Sequence, residues 1–168
     1  SFTDEQLLAA GIPAELVGDP NYVKVRGVIN NPEEFDAAFF GYRPREAELM
    51  DPQHRIFLET CWKAIEMTGY APSKCPGNVG VWGGMSTGMT NNTYLINNLH
   101  SHPDILEEED ILPAMLGNEN DYLTTRVSHK LNLRGPSVNV QCACSTSLVA
   151  ITTAYQSLMT YGSDMALA

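Results

Sequence analysis

Large apolar residues recur along the chain at two kinds of spacing, and each predicts a different element. From Asp51 onward, Leu58, Trp62, Ile65 and Gly69 follow at intervals of four, three and four, which puts them on one face of a helix. Asp51 can cap the free N–H groups at its start. Pro52 suits the first helical position, where its missing N–H costs nothing, and Gly69 supplies a stop. The pattern predicts a helix over about Pro52 to Thr68. Leu123, Val127 and Leu131 recur at every fourth residue and predict another over Asp121 to Leu131, broken by Gly135 and Pro136. Leu148, Ile151, Tyr155 and Leu158, at intervals of three, four and three, predict a third that stops at Gly162. A short helix is expected over Thr3 to Gly11, with Thr3 as N-cap, Gln6 three residues on, and Leu7 and Leu8 as its apolar face.

Alternation marks the strands. Tyr22 to Ile29 alternates in the manner of a strand. Asn78 to Gly84 is short, apolar and glycine-ended, as expected of a buried strand feeding a loop that passes close to something. Ser137 to Ala143 alternates, with Val138, Val140 and Cys142 on one face and Ser137, Asn139 and Gln141 on the other. The last third therefore runs strand, sharp turn, helix. There is no internal repeat, low-complexity segment or long linker.

A length of 168 residues fits one compact domain with its own core. With 43% hydrophobic and 18% charged residues, the chain belongs with folded globular proteins rather than disordered or collagenous ones. The formal charge of -10 argues against a nucleic-acid partner, which needs clustered Lys and Arg. The densest charge run, Glu107 to Asp110, reads as a solvated loop or a helix start. No stretch approaches the roughly twenty apolar residues needed to cross a bilayer, and the N-terminus lacks the basic and apolar regions of a signal peptide. The expectation is a soluble, cytoplasmic protein with no membrane contact. Of four cysteines, Cys61 falls in a helical pattern, Cys75 in a Pro/Gly loop, and Cys142 and Cys144 bracket one alanine. This is no disulfide framework.

Cys144 stands where the last strand changes into the last helix. The first N–H groups of a helix are unpaired and carry the positive end of its dipole, so a thiolate is stabilised there, and the thiolate is the form that attacks thioesters. Small neighbours, Ala143 and Ser145, allow a tight turn. Read locally, Cys144 is either such a nucleophile or a small buried residue. Cys142 should point with Val138 and Val140 into the core. A metal site built from Cys142 and Cys144, or from His100 and His102, lacks the spacing usual for structural zinc, and none is expected.

The run GPSVNVQCACSTSLVA, Gly135 to Ala150, resembles the active-site segment of type I modular polyketide ketosynthases, whose nucleophilic cysteine falls on Cys144. Phe35 to Glu59, Leu116 to Ser137 and Asp164 to Ala168 resemble further stretches of that family in the same order. Gln141, Cys142 and His129 stand where Asp, Thr and Tyr are often found.

The resemblance implies an α/β, thiolase-like fold, layered α-β-α-β-α in the complete domain, of which residues 1–168 would form part of the N-terminal half, truncated at both ends. It implies acyl transfer from acyl carrier protein to Cys144. Decarboxylative condensation with a malonyl-type extender follows, helped by two histidines of the C-terminal half whose motifs this sequence lacks. It also implies homodimerisation, with the strand Ser137 to Ala143 at the interface, and neighbouring acyltransferase and other synthase domains as partners. No cofactor is bound by the domain itself, the substrates riding on the phosphopantetheine of acyl carrier protein. His54 is expected on the helix surface or in interface packing, and His129 on the helix before the active-site strand. A fatty-acid or polyunsaturated-lipid synthase is a near relative of this reading. The competing reading is a non-catalytic ketosynthase-like scaffold or carrier-docking module.

Overall fold

A computed structural model describes residues 1–86 and 108–168. His100, His102 and Glu107 lie outside the described residues. The chain forms two compact units, residues 1–32 and 33–168.

In the first unit, Thr3 and Gln6 close a capping box. The Gln6 N–H donates to Thr3 Oγ1 at 3.2 Å and the Thr3 N–H to Gln6 Oε1 at 2.9 Å. Helix α1 (Asp4–Ala9) starts there and buries Leu7, leaving Leu8 exposed. A second short helix, α2 (Ala14–Val17), follows. The strand expected over Tyr22 to Ile29 does not form. A strand exists only by pairing, and among the described residues this one has no ladder partner. Its apolar residues Val23, Val25, Val28 and Ile29 are exposed, and the Val25 N–H turns back to the Val23 carbonyl at 2.9 Å.

The second unit is built around one strand. Helix α3 (Pro44–Leu49) leads into α4 (Pro52–Met67), which Asp51 caps by accepting from the Gln53 N–H at 2.7 Å. Gly69, with φ of +85°, takes the left-handed position after the helix that only glycine fills freely. Strand β1 (Val79–Gly83) is buried along its whole length. Helix α5 (Glu108–Asn118) begins within the acidic run, in line with its reading as a helix start. After a 3-10 turn at Asn120–Tyr122 comes α6 (Leu123–Leu131), then β2 (Ser137–Asn139), α7 (Thr146–Met159) and β3 (Met165–Leu167).

The sheet is parallel with order β2-β1-β3. Because side chains alternate across a strand, β1 serves two cores at once. Val79 and Val81 pack with Leu58, Cys61 and Ile65 of α4 and with Val127 and Leu131 of α6. Trp82 packs on the other side with Val140 and with Ala150 and Ala154 of α7. Two helices, a sheet and one helix thus form three layers.

Candidate active site

β2 is shorter than its alternation predicts. Its pairing stops where β1 stops, with Gly83 opposite Asn139 and a last bond from the Val140 N–H to the Gly83 carbonyl at 2.9 Å. Beyond that point Cys142 leaves the extended region (φ −131°, ψ 32°) and Ala143 turns left-handed at φ 49°. Cys144 sits at the centre of the resulting 3-10 turn, Ala143–Ser145, directly before α7. The strand–turn–helix order is as expected, and Cys144 is exposed rather than buried.

Cys142 departs from its expected place in the core. It too is exposed, because the backbone has left the pleat before reaching it and the alternation no longer governs where it points. The other two thiols differ from this pair. Cys61 is buried in α4, and desolvation pushes its thiol up to about 12, so it stays protonated. Desolvation also raises Cys75.

The polar face of β2 turns towards α6. Asn139 Oδ1 accepts from Thr124 Oγ1 at 3.0 Å, its Nδ2 donates to the Asn120 carbonyl at 2.7 Å, and the Ser137 and Ser128 hydroxyls meet at 2.6 Å. These polar groups are therefore satisfied within the chain, and Val138 is the residue left exposed.

An open cleft of about 540 Å³ lies beside the turn, lined by Gly84, Met85, Ser86, Gln141, Ala143, Thr146 and Ser147. Its far wall is the segment that leaves β1, which two glutamines hold. Gln53 Oε1 accepts from the Ser86 N–H at 2.9 Å, and Gln141 Nε2 donates to the Met85 carbonyl at 3.0 Å. The glycine ending of β1 has a steric cause: a Cβ on Gly84 would overlap the Val140 carbonyl oxygen and strike the Thr146 methyl. Sequence reasoning did not find Thr146 as a wall residue or Gln53 as a support behind the wall. Their signal is tertiary, since Gln53 acts from α4 across 33 residues of chain.

Of the two described histidines, neither His54 nor His129 is hydrogen-bonded to Cys144. Of the two places expected for His54, helix surface or interface packing, the surface is excluded: it is buried because it faces α6, where Arg126 Nε donates to its Nδ1 at 3.3 Å. Arg126 also donates to the Tyr42 hydroxyl at 3.1 Å and to the Leu116 carbonyl. Desolvation, with the Arg126 charge adding to it and the Glu119 backbone weakly opposing, pushes the His54 imidazole down to about 4. His129 is exposed in the last turn of α6, in the place foreseen. Among the described residues, no group of three or more His, Cys, Asp or Glu is placed to hold a metal ion, and no helix is long and apolar enough to cross a membrane.

The sequence matches the family described as "Beta-ketoacyl synthase, N-terminal domain" over residues 3–168. It is 42% identical over 174 aligned residues to a phenolphthiocerol/phthiocerol polyketide synthase of Mycobacterium tuberculosis, covering 100% of this chain and 11% of that protein. It is 37% identical to the polyketide synthase PksN of Bacillus subtilis, over 99% of this chain and 3% of that one. Among solved structures, ketosynthase twelve of the bacillaene polyketide synthase of Bacillus amyloliquefaciens superposes with a TM-score of 0.76 at 34% identity. That match spans 98% of this chain and 28% of that one. The chain thus spans a small fraction of the relatives it matches. With its strand–turn–helix around Cys144 and a thiolase-like arrangement of parallel strands and helices, the chain belongs to the beta-ketoacyl synthase family, within its N-terminal domain.

Proposed function

We propose that the chain provides the acyl-accepting half of a polyketide ketosynthase site, with Cys144 as nucleophile. The observation that carries this reading is that Cys144 is exposed on a left-handed turn at the head of a 14-residue helix, where its neighbours Ala143, Thr146 and Ser147 line an open cleft. The Cys144 thiolate attacks the carbonyl of an acyl thioester borne on the phosphopantetheine of acyl carrier protein. A C–S bond forms, the old one breaks, and the pantetheine thiol leaves with the proton given up by the cysteine. In the condensing step a malonyl-type extender loses carbon dioxide, and its enolate carbon attacks the acyl-Cys144 carbonyl. The new C–C bond releases the Cys144 sulfur and yields a β-ketoacyl thioester. A developing oxyanion in each step needs positioned donors. In this reading acyl transfer draws on the thiolate and a nearby oxyanion site, whereas condensation also draws on two histidines of the C-terminal half, so the half-reactions separate; His54, buried against Arg126, and His129, exposed on α6, are assigned neither role. Homodimerisation, acyltransferase neighbours and a cytoplasmic setting belong to the same proposal.

The test is an acyl adduct. The full-length protein is incubated with an acetyl thioester of N-acetylcysteamine and the adduct mapped by mass spectrometry. It is expected on Cys144, and Cys144→Ala should lower adduct formation by about a thousandfold. Undiminished acylation in Cys144→Ala, for which exposed Cys142 is the ready alternative, would overturn the assignment.

A further inference from the structure

The turn bearing Cys144 holds a backbone conformation that an alanine does not adopt freely. Ala143 has φ of 49°, a region disfavoured for any residue with a Cβ and maintained only where the surroundings enforce it. One side chain spans the residues that define it. Thr146 Oγ1 accepts from the Cys142 N–H at 3.0 Å and donates to the Ala143 carbonyl at 2.8 Å. The same hydroxyl thus grips the chain on both sides of the left-handed residue. The peptide between them is held as well, since the Cys142 carbonyl accepts from Ser145 Oγ at 2.8 Å and from the Ser145 N–H at 3.1 Å.

The orientation of the Thr146 hydroxyl is itself fixed. Its methyl points to bare backbone at Gly84, a contact that a side chain at position 84 would destroy. A β-branched residue has few χ1 choices, so seating the methyl also aims the oxygen.

We propose that Thr146 is a positioning residue for Cys144, its hydroxyl latching Ala143 in the left-handed conformation that presents the thiol beside the cleft. This rests on the reading of Cys144 as nucleophile. Thr146 acts through the backbone, since both bonds of its hydroxyl go to main-chain groups of Cys142 and Ala143.

The test uses the full-length protein and the acetyl thioester of N-acetylcysteamine, with the rate of adduct formation on Cys144 as readout. Thr146→Val keeps the shape and removes both hydrogen bonds, and should slow acylation by about tenfold or more. Thr146→Ser keeps the hydroxyl but loses the methyl that aims it, and should fall between wild type and Thr146→Val. Ala143→Gly added to Thr146→Val should restore at least about threefold of the loss, because glycine holds a positive φ without a latch. Iodoacetamide labelling of Cys144 relative to Cys142 should fall in Thr146→Val while buried Cys61 stays protected. If Thr146→Val exposes Cys61, Thr146→Ala takes its place in the same comparison. Wild-type acylation in Thr146→Val, a Thr146→Ser as slow as Thr146→Val, or no recovery with glycine at 143 would each overturn the latch. Acylation that persists in Cys144→Ala would instead sink the nucleophile reading beneath it.

Discussion

Two helices lie on opposite sides of β1, and each carries large apolar residues at three- and four-residue intervals. In α6 those residues are the packed ones: Leu123, Val127 and Leu131 are 2%, 0% and 3% exposed. In α7 they are not. Leu148, Ile151, Tyr155 and Leu158 are 68%, 54%, 59% and 37% exposed, and the face laid on the sheet is made by Ala150 and Ala154 against Trp82. Spacing reveals that a helix has an apolar face, but not what covers it. In α7 the small residues permit a close approach to the sheet, while the large ones form a stripe of the kind that marks contact with further protein surface.

The sharpest way to break this contrast is truncation on each helix in the 168-residue chain, measured by denaturant unfolding. Leu131→Ala should cost about 3 kcal/mol, as for buried leucines generally. Leu148→Ala, the same chemical change on α7, should cost less than about 0.5 kcal/mol. Equal losses would show that the outer stripe of α7 is packed after all.

A pH titration probes the α6 side next. His54, pressed against Arg126 of α6, has its imidazole lowered from 6.5 to about 4. The unfolded chain therefore binds a proton that the folded chain refuses. The stabilisation is complete above about pH 6.5, falls as pH drops through that window and is lost below about pH 4. A shift of this size corresponds to about 3 kcal/mol at most, less whatever the structure recovers by relaxing. His54→Asn should flatten the pH dependence of stability between those limits. An unchanged slope would place the titrating group elsewhere.

The smallest expected effect tests how β2 is tied to α6. Asn139→Ala removes the bonds to Thr124 and Asn120 and should cost about 1 kcal/mol or somewhat more in the same unfolding measurement, Thr124 being fully buried and left without its acceptor. No loss would mean that water replaces both bonds.

Legibility in the sequence followed locality. The cap at Asp51, the stop at Gly69, the capping box at Thr3, the buried strand before Gly84 and the turn at Cys144 depend on residues within a few positions of one another, and each is present. The strand expected over Tyr22 to Ile29 failed because alternation describes a strand that has found a partner, and periodicity cannot supply one. The surface alternative for His54 and the core placing of Cys142 failed for related reasons. His54 is buried by α6, which lies far along the chain, as its 72-residue separation from Arg126 shows. Cys142 lies past the point where β1 ends and the pleat stops. The cleft was hidden too, because Gln53 and Gln141 are ordinary polar residues until the backbone brings Ser86 and Met85 beside them.

The position of β1 in the sheet also sets a timetable for synthesis. β1 is the central strand in space but the first of the three in the chain, and Asn78 at its threshold bonds Asp164 across 86 residues, its N–H donating at 2.7 Å. At roughly 5–20 residues per second a ribosome needs about 4–17 s to supply those residues. For the first part of that interval, until β2 at Ser137–Asn139 is made, Val79, Val81 and Trp82 lack both flanking strands of this sheet, and until β3 follows one edge of β1 stays open, an apolar edge of the kind that chaperones hold and that neighbouring nascent chains can capture. A slow stretch of translation would be best tolerated once β3 has been made and both flanking strands are available.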